Sequence, residues 1–154
     1  MHKIAVISDS HGARVRLEMF KRIAEQEKYD MIIHCGDGAS DAKWLAKNLD
    51  IEVKAVAGNC DFYDRIVREY PITVDNVRML ALHGDKYDVK WGLTRLSYYA
   101  EERNVNVVLF GHTHQAFAGF AGGVMMVNPG ALKDGRYAEL HISNGDCVPF
   151  LKYI

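Results

Sequence analysis

The sequence predicts a mixed α/β fold in which a parallel sheet covered by helices is followed by antiparallel strands. In the first half, nearly continuous apolar runs alternate with amphipathic stretches, a pattern typical of strands buried on both faces and joined by helices. In the last third, short apolar runs are separated by Gly122-Gly123 and Asn144-Gly145, which are typical of tight hairpin turns.

Three strands and two helices are predicted in the first half. The strands are KIAVIS (3–8), MIIHC (31–35) and VKAVAG (53–58). Between them, apolar side chains recur every three or four residues, as on one face of a helix. These stripes are Leu17, Phe20, Ile23 and Ala24, then Ala42, Leu45, Ala46 and Leu49. The β-α-β-α-β order indicates a parallel sheet.

After Pro71, strands predominate. The runs ITVD and RMLALH flank the turn-forming pair Asp75-Asn76. A third helical stripe follows, and then the buried strand VNVVLF (105–110). The chain continues with four further strand-like runs: AFAGF, GVMMV, YAELHI and CVPFLKYI.

Composition indicates one compact domain over residues 1–154 and excludes several classes of protein. The formal net charge of -1 gives no electrostatic reason to expect a nucleic-acid partner. No apolar stretch is long enough to span a bilayer, and the first residues reach charged and turn-forming types too early for a signal peptide. With three cysteines and no CxxC pair, we expect reduced thiols and a cytoplasmic location. A homo-oligomer is left open.

Side chains able to bind metal follow almost every apolar run. They are Asp9, His11, Asp37, Asn59, His83, His112 and His114. In open α/β sheets, ligands bind beyond the carboxyl ends of the strands, so five loops would bring these residues to one rim. Each motif alone is equally typical of a turn or a helix cap. Five such loops together favour a metal site.

The donor types indicate the metal and the reaction. Aspartate, histidine and asparagine without a thiolate suit Mn²⁺, Fe²⁺, Zn²⁺, Ni²⁺ or Mg²⁺, and we expect Mn²⁺ first. Seven ligands exceed what one catalytic ion takes while keeping an open position. Two ions that share a carboxylate suit the hydrolysis of phosphate esters, because they lower the pKa of a bridging water and neutralise phosphoryl oxygens.

The ordered motifs D-S-H, G-D, G-N-C-D, H-G and G-H-T-H resemble those of the calcineurin-like metallophosphoesterase superfamily. The short length and the cysteine variant are similar to its small prokaryotic phosphodiesterases, and the retromer subunit shares their fold. The resemblance implies a four-layer α-β-β-α sandwich, in which two mixed sheets pack face to face between helices and the dinuclear site lies at one edge.

The resemblance also implies a role for each site residue. Asp9, His11, Asp37 and His114 would hold the first ion, and Asp37, Asn59, His83 and His112 the second. Hydroxide between the ions would attack phosphorus, which makes Asp37, Asn59 and His112 the expected catalytic residues. Asp61 would orient a ligand or a water molecule.

Two residues depart from the family pattern. Cys60 stands where many relatives carry a histidine assigned to transition-state stabilisation or to protonation of the leaving group, and a thiol is a poor substitute as an acid. We therefore expect a bias toward good leaving groups, or leaving-group help from the substrate or the second ion. Asp85 follows Gly84 where close relatives often carry a histidine; it would strengthen cation binding or repel a dianionic substrate.

These observations predict a phosphodiesterase that acts on a small phosphoester. A phosphomonoesterase with the same site is the first alternative. A non-catalytic scaffold or binding module on the same fold is the second, and the complete set of seven ligands favours the enzyme.

Overall fold

The computed structural model describes residues 1–62 and 65–154. In this part of the chain, ten strands form two five-stranded sheets, and three α-helices pack on them. The helices are α1 (Arg14–Glu27), α2 (Ala39–Asn48) and α3 (Thr94–Glu102). The strands are β1 (His2–Ile7), β2 (Met31–His34), β3 (Glu52–Ala55), β4 (Glu69–Val74), β5 (Val77–Leu82), β6 (Val107–Leu109), β7 (Phe117–Ala121), β8 (Val124–Asn128), β9 (Arg136–Ser143) and β10 (Asp146–Tyr153).

Both sheets are mixed. The first sheet has the order β10-β9-β1-β2-β3, and the second has the order β4-β5-β6-β8-β7. Strands β1, β2 and β3 are parallel, as their alternation with helices predicted. Strands β5, β6 and β8 are also parallel, so the carboxyl ends of the central strands in each sheet point to one edge.

Alternating side chains on the strands build the layers. Ile4 and Val6 of β1 pack with Met79 and Leu109 of the second sheet, whereas Ala5 and the other alternate residues face helices α1 and α2. The opposite face of the second sheet packs on α3 through Leu80, Val108 and Leu96, among others. The layers therefore run helix, sheet, sheet, helix, and the predicted four-layer sandwich is confirmed.

The predicted hairpin turns are present. Asp75-Asn76, Gly122-Gly123 and Asn144-Gly145 each have positive φ at both residues, which matches the twist of antiparallel strands. Some predicted strand ends differ: the third run forms a strand only over Glu52–Ala55, although Val56 and Ala57 beyond it are buried.

Within the described residues, no helix is both long enough and apolar enough to cross a membrane.

Candidate metal centre

Loops that follow the strands of both sheets meet at one edge of the sandwich. The first sheet contributes the loop residues after β1 and β2, and the second contributes His83 after β5 and His112 and His114 after β6. The two sheets are joined directly there, because the backbone N–H of His112 donates to Asp9 Oδ2 at 3.0 Å. The predicted rim is therefore one continuous site.

One group of donor atoms surrounds Asp9. His114 Nε2 lies 3.1 Å from Asp9 Oδ1, and His11 Nε2 lies 3.6 Å from the same oxygen. His11 Nε2 is also 3.8 Å from Asp37 Oδ2. An ion about 2.1 Å from each nitrogen and oxygen would fit between atoms at such separations.

A second group of donor atoms surrounds His83. Its Nε2 lies 3.3 Å from Asp37 Oδ2 and 3.2 Å from His112 Nδ1. Its Nδ1 lies 2.8 Å from the carbonyl oxygen of Cys35, which can only accept, so Nδ1 carries the proton. His83 Nε2 therefore faces Asp37 and His112, and it would offer its lone pair to an ion that displaces the proton shared with Asp37.

Six of the seven predicted ligands belong to these two groups, and Asp37 Oδ2 faces a histidine from each. Asn59 is placed differently. Its side chain is exposed, and its Nδ2 donates to Cys60 Sγ at 3.7 Å. In the described residues the Asn59 amide is thus directed toward sulfur, and its predicted role as a ligand stays a prediction.

The charges at this site fit a cation. Asp9 and Asp37 are buried, and both have an oxygen within 3.9 Å of His83 Nε2. Burial lowers the pKa of His83, but the hydrogen bond to Asp37 and the charges of both carboxylates outweigh burial and raise it. Burial likewise raises the pKa of Asp37, but hydrogen bonds from His83 and the Cys60 backbone hold that pKa well below its usual range. Two buried carboxylates facing four imidazoles form a donor set suited to divalent ions.

The backbone is unusual where the ligands lie. Five of the predicted ligands have positive φ although none is glycine: Asp9, His11, Asp37, His112 and His114. Such residues cost roughly 1 kcal/mol or more each, and strain of this kind gathers at functional sites. The strained loops direct carboxylates and imidazoles from different strands toward the same place.

Asp61 supports the backbone of this site rather than contacting the donor atoms. Its carboxylate accepts from the N–H groups of Asp37 at 2.8 Å, Gly58 at 2.8 Å and Ala39 at 3.1 Å. It therefore ties the loop after β2 to the loop after β3. This location agrees with a positioning residue.

A buried network lies beneath the site, and of its members only His34 was predicted from the sequence, as a hydrogen-bonded histidine of the core or beside the ligands. Gly36 N–H donates to His34 Nδ1 at 3.1 Å, so His34 Nε2 carries the proton and donates to Ser10 Oγ at 2.8 Å. Ser10 Oγ in turn donates to Asp41 Oδ2 at 2.6 Å. Burial lowers the pKa of His34 to about 4, although the Asp41 charge opposes this. No signal in the sequence pointed to Asp41, which lies on α2.

Two further side chains hold the remaining loops. Ser8 Oγ donates to Asp9 Oδ2 at 2.6 Å. Asn128 Nδ2 donates to the carbonyl oxygen of Gly111 at 3.1 Å and to Thr113 Oγ1 at 2.9 Å. Asn128 therefore fixes the loop that carries His112 and His114. Its signals in the sequence were the turn-forming Asn-Pro-Gly run and the family resemblance, which implies a place for this loop near the site.

Beside the donor atoms lies a cavity of about 310 Å³ that is lined in part by His83. Two basic side chains, Arg68 and Lys86, line it together with Asp85 and Tyr87. The cavity could therefore accommodate an organic group with polar and aromatic parts next to the metal-binding atoms.

Comparisons with known proteins point to one family. Residues 2–144 match the calcineurin-like phosphoesterase superfamily domain. A probable metallophosphoesterase of Bacillus subtilis, YsnB, is 35% identical over 147 residues, which cover 92% of this chain and 85% of that protein. A phosphodiesterase of Methanocaldococcus jannaschii is 25% identical over 145 residues, which cover 83% of this chain and 82% of that protein.

Solved structures share the fold. A predicted phosphoesterase of Streptococcus pneumoniae aligns with a TM-score of 0.82 at 24% identity, over 99% of this chain and 89% of that one. Vps29 of Chaetomium thermophilum aligns with a TM-score of 0.78 at 16% identity, over 100% and 97% of the two chains. At these identities the likeness concerns the fold alone. The family match and the Bacillus relative go further: the chain belongs to the calcineurin-like phosphoesterase superfamily.

Proposed function

We propose that this protein is a metal-dependent phosphodiesterase that uses two divalent ions. One observation carries the proposal: Asp37 Oδ2 lies 3.8 Å from His11 Nε2 and 3.3 Å from His83 Nε2. A single carboxylate thus stands between two groups of donor atoms, as a bridging ligand would. The family relationship supports a phosphoester as the substrate.

Each group of residues would hold one ion. Asp9, His11, Asp37 and His114 form one set, and Asp37, His83 and His112 form the other, which Asn59 would complete by turning its amide inward. When bound, such a pair of ions supplies a water of lowered pKa and positive charge beside the phosphoryl oxygens. The chain itself would orient these donors through Asp61 and Asn128, and we expect turnover to depend most on Asp37, Asn59 and His112.

A diester is favoured over a monoester on electrostatic grounds. Near neutral pH a diester carries one negative charge, whereas a monoester carries nearly two. Asp85 and Glu69 line the cavity beside His83 and offset its two basic side chains, Arg68 and Lys86, so the lining offers no net positive charge to the second charge of a dianion. The Methanocaldococcus relative, which is named a phosphodiesterase, supports the same choice.

A reducing, cytoplasmic setting is part of the proposal. Cys35, Cys60 and Cys147 are all free thiols, and unpaired cysteines are usual where glutathione and thioredoxin keep thiols reduced.

The test compares one activated aryl diester with the matching aryl monoester. Protein stripped with a chelator should be inactive on both and should recover on the diester when Mn²⁺ is added. Asp37→Ala and His112→Ala should each lower turnover by at least about a hundredfold, as loss of one charge-stabilising group does in other enzymes. His141→Ala removes a histidine that contacts Glu139 and Phe150 on the first sheet, and it is the matched control.

Full activity in the Asp37 or His112 variant would overturn the proposed site. Faster turnover of the monoester under the same metal would replace the diesterase with a monoesterase. Protein that binds Mn²⁺ yet hydrolyses neither ester, nor any member of a wider phosphoester panel, would indicate a binding module.

A further inference from the structure

The sulfur atom of Cys60 lies close to the candidate metal-binding atoms. Cys60 Sγ, a ring nitrogen of His11 and a carboxylate oxygen of Asp37 all lie within 4.8 Å of one another. Sulfur stands about 2.3 Å and nitrogen or oxygen about 2.1 Å from a bound Zn²⁺, so one ion can span separations of this size. In the sequence, Cys60 was notable only because it stands where many relatives carry a histidine assigned to transition-state stabilisation or to protonation of the leaving group.

The backbone holds this cysteine against the site. Cys60 N–H donates to Asp37 Oδ1 at 2.8 Å, while Asp37 Oδ2 faces His11. The same carboxylate therefore anchors the Cys60 backbone with one oxygen and faces the first group of imidazoles with the other. The Cys60 side chain is exposed, so its sulfur can approach an ion without disturbing the core.

Without an ion, the surroundings of Cys60 favour its thiol. Burial and the charge of Asp37 raise the pKa of Cys60, and Asn59 Nδ2 donates to its sulfur at 3.7 Å. The sulfur would therefore become a thiolate only on binding an ion, because the positive charge of the ion offsets that of the nearby carboxylate.

We infer that Cys60 is an additional ligand of the ion held by His11 and Asp37. This inference rests on the proposed function, since it requires an ion at that position. When the sulfur binds, its S–H bond breaks, the proton passes to solvent and the sulfur lone pair occupies a position on the ion. No oxidant or other reactant is needed.

A thiolate ligand has a consequence for metal choice. Soft sulfur favours Zn²⁺ and Co²⁺ over Mn²⁺ and Mg²⁺, which prefer oxygen. The cysteine would therefore shift this site toward thiophilic ions, and a serine in its place would shift it back.

Co²⁺ distinguishes the role of Cys60 from that of the site as a whole. Chelator-stripped protein, kept reduced without air, is titrated with Co²⁺ while its absorption is recorded. Visible ligand-field bands report any tight Co²⁺ site, whereas a near-ultraviolet charge-transfer band reports a sulfur–cobalt bond. Wild type should show both, and Cys60→Ser should keep the visible bands and lose the charge-transfer band.

Matched variants and a competition complete the experiment. Cys147→Ser removes a half-buried thiol on β10 and should keep both bands; Cys35 is left unchanged because it is buried in the core. The preference for Zn²⁺ over Mn²⁺, measured by competition, should fall by about tenfold or more in Cys60→Ser, as expected for a lost contact at a metal site.

The possible outcomes separate the role of Cys60 from the existence of the metal site. Visible bands without a charge-transfer band in wild type would overturn the role of Cys60 and leave the proposed function intact. A charge-transfer band that survives in Cys60→Ser would also overturn it. Absence of tight Co²⁺ binding in wild type would overturn the metal site and, with it, both proposals.

Discussion

The carboxylate of Asp61 accepts a hydrogen bond of 2.8 Å from the backbone N–H of Asp37. It also accepts from Gly58 and Ala39, so one buried side chain satisfies three backbone donors. Asp37 has a φ of 59°, a conformation that a non-glycine residue adopts only when its surroundings enforce it. Asp61 is part of what enforces it, and the direction of the Asp37 carboxylate depends on this contact.

Asp61→Asn should therefore weaken both folding and metal binding. The amide keeps the shape but replaces one acceptor oxygen with a donor that faces backbone N–H groups. We expect the free energy of unfolding to fall by about 1–3 kcal/mol and Mn²⁺ affinity to fall by about 10- to 100-fold. Chemical denaturation measures the first and titration of chelator-stripped protein measures the second.

Asp75→Asn is the control for this variant. Asp75 Oδ2 also accepts from a backbone N–H, that of Asn144 at 2.6 Å, but it lies in the turn between β4 and β5. Its substitution should leave Mn²⁺ affinity unchanged. Unaltered Mn²⁺ affinity in Asp61→Asn would show that Asp61 does not position Asp37.

The residues that carry the donor atoms were predicted from local sequence patterns. The residues that hold them in place were not. Asp9, Asp37 and His83 each follow a buried strand, and parallel strands bring their carboxyl ends to one edge; no long-range contact had to be foreseen. The link from Ser10 through His34 to Asp41 joins separate elements that only packing brings together. Serine and aspartate near the start of a helix are common caps, so nothing distinguished these residues in the sequence.

The fold likewise has features that the sequence predicted and features that it did not. Hairpin turns were visible because Asp75-Asn76 and Asn144-Gly145 tolerate positive φ. The sheet that each hairpin joins was not visible: β9 pairs with β1 at the centre of the first sheet, while β8 pairs with β6 in the second. Such pairing depends on side-chain packing between the sheets. The spacing of hydrophobic residues and the residue types in the turns do not reveal that packing.

Gly58→Ala should displace the Asp37 carboxylate. A methyl group at this position would lie 2.2 Å from Asp37 Oδ1 and 2.5 Å from the Asp37 backbone nitrogen. Backbone cannot yield as a flexible side chain can, so we expect overpacking to cost about 1–3 kcal/mol of stability and Mn²⁺ affinity to fall. Denaturation and metal titration measure the two effects.

Gly119→Ala tests whether crowding at Asp37, rather than any added methyl group, is responsible. Gly119 lies on the edge strand β7, where the three atoms nearest to the new methyl group all belong to the ring of Phe117, the first at 2.9 Å, and the Phe117 side chain is exposed. Gly119→Ala should retain wild-type Mn²⁺ affinity. Equal losses of affinity in the two variants would contradict the steric explanation.

His34 should make stability fall in mild acid. Burial holds its pKa at about 4 in the folded protein, against an ordinary value of 6.5. Between pH 6.5 and pH 4 the unfolded chain binds a proton that the folded chain does not, so the free energy of unfolding decreases as the pH falls. The loss from this residue is about 3 kcal/mol once pH 4 is reached.

The contribution of His34 is isolated by comparing metal-free wild type with His34→Gln at several pH values. The variant is expected to be less stable at pH 7 but to lose less stability between pH 6.5 and pH 4. His2→Gln, which removes an exposed imidazole at the start of β1, is the control. Parallel stability curves for wild type and His34→Gln would contradict a buried neutral histidine.

Metal removal should lower the melting temperature of wild type but not of Asp37→Asn. An ion at one hundred times its dissociation constant stabilises the folded state by about 2.7 kcal/mol, which corresponds to about 5–10 °C for a chain of this size. The Asn side chain still offers an oxygen to the Cys60 N–H, so the loop keeps that hydrogen bond while the shared negative charge is lost. Scanning calorimetry with Mn²⁺, and again after chelation, should give a reversible shift in wild type and little shift in the variant. An equal shift in both would mean that Mn²⁺ binds elsewhere on the protein, because an ion held by either group of donor atoms would lose the charge of the Asp37 carboxylate that faces both groups.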